Sequence, residues 1–300
     1  MGELQRPAVG VIGLGAMGAP MAGHLARAHG TVHITARRPR PDLVADGAAW
    51  HDDAAAVAAA ADVVLLMLPD LPEIEEVLAG ERGLLAGERP LLLLIGSTSS
   101  APGVRALADR LDRETAGRVR VVDAPVSGGE DGAIAGTLSI MMGGTEDDCA
   151  RAAEVLAPCG TPVRLGPLGA GEVAKACNQL VVAATIAALG EATVLADRSG
   201  IDLAAMWDLL GGGYASSRLL ATRKDKLVTG DDAPSGMAKY LAKDLRSATE
   251  VAHATGTEAM LLPALLAEFE EIVETGLGDR DMAVTRRFIA ERGRPPITPE

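Results

Sequence analysis

Over residues 8–166 of the 300-residue chain, short apolar runs alternate with Ala-rich stretches of helical period. AVGVIGL (8–14), TVHITA (31–36), ADVVLLMLP (61–69) and PLLLLIG (90–96) read as the first four strands. The last two are continuous apolar runs, the pattern of strands covered on both faces. VRVVDAP (119–125), TLSIMMGG (137–144) and TPVRLG (161–166) read as further strands. MGAPMAGHLARA (17–28), AAAVAAAA (54–61) and GVRALADRLDRE (103–114) read as helices between them. Such alternation is what a parallel sheet with crossover helices requires. After Gly166 the strand signals stop, and long helical stretches run to about Arg292 before the loose tail GRPPITPE. The pattern predicts an α/β chain: an N-terminal Rossmann-type doubly wound sheet over 1–166, then an all-helical C-terminal domain over 167–300. A long interdomain helix, opening at GPLGAG, joins the two. Its sequence, GAGEVAKACNQLVVAATIAALGEA (169–192), is apolar except for a cluster near its start: Lys175, Asn178 and Gln179. An unpaired buried charge costs several kcal/mol or more, in order of magnitude. Lys175 therefore sits at the surface or lines a cleft that needs it.

Composition narrows the partners. A net charge of −13 opposes nucleic acid and anionic membrane surfaces, though not a small anionic substrate drawn by the local field of a cleft. Aromatic residues at 2% leave little for base-stacking platforms. Cys149, Cys159 and Cys177 are too few and too irregularly spaced for a disulfide framework or a CxxC metal site, so a reducing cytoplasm is expected. The start, MGELQRPAVG, has no basic segment followed by an apolar one, and no secretory signal is expected there. The apolar stretch LVVAATIAAL is about half a membrane span.

The chemistry-bearing motif nearest the N-terminus is Gly13-Leu14-Gly15-Ala16-Met17-Gly18, a G-x-G-x-x-G between a predicted strand and a predicted helix. Gly13 permits the tight turn, Gly15 the approach of a pyrophosphate, and Gly18 close helix–strand packing. The plainer alternative is a Gly-rich turn. A carboxylate for an adenosine ribose is expected about 20 residues on. The chain instead reads Ala36-Arg37-Arg38-Pro39-Arg40, with no acid before Asp42. Arg37 and Arg38 there suit a ribose 2′-phosphate and favour NADP over NAD, although a solvated basic loop or NAD remains open.

Three further stretches follow in order: DAPVSGG (123–129), GAGEVAKACNQ (169–179) and KDLRSA (243–248). Together with GLGAMGAPM, this set resembles the β-hydroxyacid dehydrogenase family, which includes 3-hydroxyisobutyrate dehydrogenases and tartronate semialdehyde reductases. The resemblance spans residues 8–290. SGGEDGAIAGTLSIMMGG, NQLVVAATIAALGEA and GLGDRDMAV lean toward the tartronate semialdehyde reductase branch. The resemblance implies that Ser127, Gly128 and Gly129 bind the substrate carboxylate through backbone N–H groups. It makes Lys175 the general acid/base, with Asn178 on the substrate and Lys243 near substrate and nicotinamide. Thr98 and the backbone of Leu68 and Pro69 would contact the cofactor. Two positions depart from the family pattern. Gly236 stands where relatives usually carry Phe, a change expected to widen the pocket. Ile95-Gly96-Ser97-Thr98 replaces a loop that often begins with Asp.

The expected activity is hydride transfer between NADP(H) and a small β-hydroxy acid or semialdehyde, with Lys175 handling the proton. NAD-dependent oxidation of 3-hydroxyisobutyrate, reduction of another semialdehyde or of an imine, and a non-catalytic cofactor-binding scaffold are the alternatives. No His/Asp/Glu constellation suggests a metal. His24, His29, His33, His51 and His253 lie outside the motifs and read as surface or packing residues. The long apolar helix is too hydrophobic for a broad wet face, so a homodimer or homotetramer is expected.

Overall fold

The computed structural model of the protein describes residues 7–292; the first six residues and the segment GRPPITPE lie outside these residues. Contacts divide the chain into two units, 1–175 and 176–300.

The first unit is built on one nine-stranded sheet. Its elements in chain order are β1 (Val9–Ile12), α1 (Gly18–His29), β2 (Val32–Thr35), α2 (Pro41–Ala45), β3 (Ala49–Trp50), α3 (Ala54–Ala60), β4 (Val63–Leu66) and α4 (Leu71–Leu78). They continue with β5 (Leu91–Ile95), α5 (Ala101–Thr115), β6 (Val119–Asp123), β7 (Val126–Ser127), α6 (Gly129–Ala135), β8 (Leu138–Gly143), α7 (Glu146–Leu156) and β9 (Gly160–Gly166). The strand order is β3-β2-β1-β4-β5-β6-β8-β7, with β9 also on β8. Strands β1 to β6 run parallel, as the crossover helices require. Beyond them β8 pairs antiparallel with β6 and β7. The continuous apolar runs become β4 and β5, buried at every position. One core cluster on each face of the sheet explains why: Val63, Leu65, Leu92 and Leu94 face one, Val64, Leu66, Leu93 and Ile95 the other. The two-residue strand β3 carries too short a pattern to be read from sequence, so PLLLLIG is the fifth strand rather than the fourth.

The second unit is helical. Helix α8 (Ala170–Arg198) starts in the first unit and supplies Ala183, Ile186, Ala187 and Leu189 to the second unit's core. It is followed by α9 (Leu203–Gly211), α10 (Arg218–Thr229), α11 (Ala238–Thr255), α12 (Leu262–Glu274) and α13 (Thr285–Arg292). Among the described residues after Gly166 there is no strand, only an isolated bridge between Met237 and Asp281. At 29 residues, α8 is long and apolar enough by composition to cross a membrane, longer than its apolar stretch suggested. Its place in the core cluster is that of a helix packed inside a protein. Trp207 and Phe269 are the largest side chains buried with it.

Candidate active site

The loops after β1, β4 and β5 stand side by side, because Ile12 pairs with Leu66 and Leu66 with Ile95. The carboxyl ends of the strands where the order reverses, between β2-β1 and β4-β5, are where open α/β sheets bind ligands. Around β1 the three glycines have three different physical reasons. Gly13 has φ +95°, and a Cβ on it would overlap the Met67 carbonyl. A Cβ on Gly18 would overlap the carbonyl oxygen of Gly13, so α1 starts hard against the turn. Gly15 has nothing within 4 Å of its Cβ position. No packing demands a glycine there; the space is open for a ligand to approach the backbone. Leu14 is buried beneath the loop, while Gly15 and Ala16 are exposed and Met17 is half-buried. The first turn of α1 holds no acid and no side-chain cap, but its Ala19 and Met21 N–H groups already donate to the Gly15 and Met17 carbonyls at 3.1 and 3.4 Å, and Pro20 has none. What lies open to an incoming phosphate is the exposed loop backbone at Gly15 and Ala16. This cradle fits a dinucleotide.

Arg37 and Arg38 are exposed just beyond β2. Arg40 is committed elsewhere: its guanidinium donates to the Leu14 carbonyl at 2.7 Å and to both carboxylate oxygens of Asp42 at 2.9 and 2.6 Å. Those bonds hold the Asp42 carboxyl below the usual range. Asp42, the first acid after β2, is thus engaged by Arg40.

Leu68 and Pro69 follow β4, and the Leu68 N–H donates to Ser97 Oγ at 3.1 Å. Thr98 follows β5 in the same loop as Ser97. The departure from the family's Asp falls on Ile95, which ends β5 fully buried in the core. Gly96 after it is held to glycine, because a Cβ there would overlap Met67 Sδ. Ser127 ends β7, and the exposed Gly128 and Gly129 take φ +141° and +64° at the start of α6. A Cβ at Gly129 would meet nothing within 4 Å, a second place where backbone is left open.

Helix α8 begins on a buried carboxylate. Asp123, fully buried at the end of β6, accepts from the Gly169 N–H at 2.7 Å and the Glu172 N–H at 2.8 Å. Burial pushes its pKa up, and the backbone donors pull the other way without winning. Gly171 lets the helix come this close, since its Cβ would lie 2.8 Å from Asp123 Oδ2. Glu172, 1% exposed, accepts from the Ser99 N–H at 3.0 Å. One turn later comes Lys175, also buried at 7%. Asp123 and Glu172 were not among the residues singled out from sequence. The available signal was an acid at a strand end inside DAPVSGG and a second acid in the first turn of an apolar helix.

In the second unit, Asn178 donates to Gln179 Oε1 at 2.8 Å, and Gln179 donates to Asp244 Oδ2 at 2.6 Å. Asp244 also pairs with Lys243 at 3.5 Å. Gly236 precedes α11, and its N–H donates to Asp281 at 2.9 Å. A Cβ at Gly236 would lie 3.0 Å from Met282 Cε and 3.4 Å from the Arg223 guanidinium. These two side chains crowd the position from which an aromatic would project, so the structure does not bear out the expected widening at Gly236. Among the described residues, no group of three or more His, Cys, Asp or Glu is placed to hold a metal. His24 and His29 bond the carbonyls of Ile134 and Val155, and His33 bonds His51.

Comparison with known proteins carries the same signature. The family model for the NAD binding domain of 6-phosphogluconate dehydrogenase matches residues 8–169. The model described as NAD-binding of NADP-dependent 3-hydroxyisobutyrate dehydrogenase matches residues 169–289. The chain is 38% identical to the 2-hydroxy-3-oxopropionate reductase of Escherichia coli (strain K12), over 82% of this chain and 84% of that one. The chain belongs to the β-hydroxyacid dehydrogenase family. A second relative in this family, the 2-(hydroxymethyl)glutarate dehydrogenase of Eubacterium barkeri, is 32% identical over 92% of both chains. The 3-hydroxyisobutyrate dehydrogenase of Mycobacterium tuberculosis, in a structure with L-serine, superimposes with a TM-score of 0.82 at 29% identity. It covers 94% of this chain and 99% of that one. As a β-hydroxyacid dehydrogenase, the protein is an NAD(P)-dependent oxidoreductase, and the cradle at Gly15 lies within the matched NAD binding domain.

Proposed function

We propose that the protein reduces a small carboxylate-bearing semialdehyde with NADPH, in the manner of a tartronate semialdehyde reductase, and catalyses the reverse oxidation. The single observation behind this reading is a buried lysine, Lys175, one turn into a helix whose start is capped by Asp123. When bound, the nicotinamide supplies or takes up the hydride at the carbonyl carbon. Lys175 gives its proton to the developing alkoxide, and in oxidation takes the hydroxyl proton. Ser127, Gly128 and Gly129 hold the substrate carboxylate through backbone N–H groups. The first turn of α6 carries Glu130 and Asp131, so charge complementarity for the carboxylate comes from Lys175 of the same unit instead. Asn178 bonds the substrate on the helical face of Lys175, three residues on.

NADP preference rests on Arg37 and Arg38, which are exposed after β2, and on Asp42, whose carboxylate is engaged by Arg40. The likeness to the 2-hydroxy-3-oxopropionate reductase supports the choice of substrate branch. Replacing Lys175 by Ala should lower turnover by about 10²–10⁴-fold, the range of a lost general acid. Turnover within a few-fold of the parent with the best semialdehyde would sink the assignment. NADPH binding without hydride transfer to any of glyoxylate, tartronate, succinic or methylmalonate semialdehyde would point to a scaffold.

We also propose a homo-oligomer, acting in the reducing cytoplasm. Val181 and Leu195 on α8 are 65% and 69% exposed, and Leu209 on α9 is 78% exposed, in a single chain. A second copy of the chain covering these faces would remove them from water.

A further inference from the structure

We infer that Glu172 is a positioning residue, whose carboxylate fixes the loop after β5 to the helix that carries Lys175. The inference rests on the reading of Lys175 as acid/base and of Thr98 as a cofactor contact.

A carboxylate that is 1% exposed needs a reason, because burying it costs far more than burying an apolar side chain of the same length. Capping is not that reason. The start of α8 already has Asp123, which takes the N–H groups of both Gly169 and Glu172. Nor is complementing the helix dipole, which an exposed acid in the first turn would do without desolvation. The side chain instead leaves its helix and accepts the Ser99 N–H at 3.0 Å, from a residue 73 positions away in sequence. Ser99 adjoins Thr98, and Ser97 in the same loop accepts the Leu68 N–H from the loop after β4. The run Leu68–Ser97, Ser99–Glu172, Glu172–Asp123 therefore joins the ends of β4, β5 and β6 to the first turn of α8.

The chemistry explains the need for such a tie. Hydride and proton must reach the two ends of one carbonyl group, so the element against the nicotinamide and the helix bearing the proton donor must keep a fixed spacing. Misplacement by about 1 Å can cost on the order of 10²-fold in rate. Glu172 is three residues before Lys175, on the same side of the helix, and sets that spacing from within one turn.

The test compares two substitutions of similar length. Glu172→Gln keeps an oxygen for the Ser99 N–H, and Glu172→Met does not. Hydrogen exchange at the Ser99 amide, NADPH affinity, single-turnover hydride transfer and substrate KM are measured on each, beside Lys175→Ala. We expect slow Ser99 exchange in the parent and in Glu172→Gln, and fast exchange in Glu172→Met. Hydride transfer should stay within about 3-fold in Glu172→Gln and fall about 10–100-fold in Glu172→Met, with KM little changed. Equal rates and equal Ser99 protection in the two variants would overturn the inference while leaving the Lys175 reading intact. Full turnover in Lys175→Ala would overturn that reading and this inference with it. Should Glu172→Met not fold, the parent still decides: a Ser99 amide exchanging as fast as exposed loop amides refutes the tie.

Discussion

Replacing Gly15 by alanine should separate cofactor binding from stability, because its two neighbouring glycines are needed for packing and it is not. At Gly18 a methyl group would overlap a backbone oxygen, that of Gly13, which cannot swing aside as a side-chain end can. Overpacking of this kind costs about 1–3 kcal/mol, occasionally more. At Gly13 the same overlap, with the Met67 carbonyl, is joined by a left-handed φ of +95°, worth about 1–2 kcal/mol against any residue with a Cβ. At Gly15 the added methyl meets nothing within 4 Å. The folded protein should lose nothing, and a loss of unfolded-chain freedom should stabilise it by about 0.4–1 kcal/mol. The methyl would occupy the space through which a phosphate reaches the exposed loop backbone at Gly15 and Ala16. Losing one charge-assisted hydrogen bond there, about 1.5–3 kcal/mol, weakens NADPH binding by about 10–100-fold. Calorimetric NADPH titration and thermal unfolding of Gly15→Ala and Gly18→Ala measure the two quantities side by side. If Gly15→Ala binds NADPH as the parent does, or destabilises as much as Gly18→Ala, the reasoning about this loop is wrong.

The joint substitution Arg37→Ala and Arg38→Ala should weaken NADPH much more than NADH, and equal loss of both would remove the basis for NADP preference. Replacing Asp123 by Ala leaves the Gly169 and Glu172 N–H groups without their acceptor, at about 1–3 kcal/mol each, and denaturant unfolding should register the sum. The pH dependence of Asp123 has a definite sign. Burial raises its folded pKa above the unfolded value of 3.8, so its contribution is fully present below that value and declines as pH rises through the folded pKa. Relative to Asp123→Asn, the parent should therefore lose stability over that window, and a relative gain would refute the sign. Sedimentation at micromolar concentration should find dimers or larger, with Leu209→Lys shifting the distribution toward monomer; a monomeric parent would sink the oligomer.

The strands, most of the helices and the glycine loop were legible in the sequence because each is written in local residue pattern. Buried strands need unbroken apolar runs, a phosphate turn needs glycines at fixed spacing, and a helical unit shows itself where strand runs stop. The resemblance carried in four motifs likewise marked Lys175, whose polar side chain stood out in an apolar helix. What the linear pattern did not decide was what each charge faces. Arg37, Arg38 and Arg40 look alike in sequence, yet only the fold commits Arg40 to Leu14 and Asp42 and leaves the other two exposed. Asp123 reads as the last residue of a strand, and only the packing of β6 against the start of α8 turns it into a helix cap. Glu172 reads as an ordinary first-turn acid until the loop after β5 arrives beside it. Local pattern fixes which backbone forms, because hydrophobic period and glycine spacing act within a few residues. Charge assignments were decided by tertiary structure, because a hydrogen bond depends on which donors from distant segments come within about 3 Å of an acceptor.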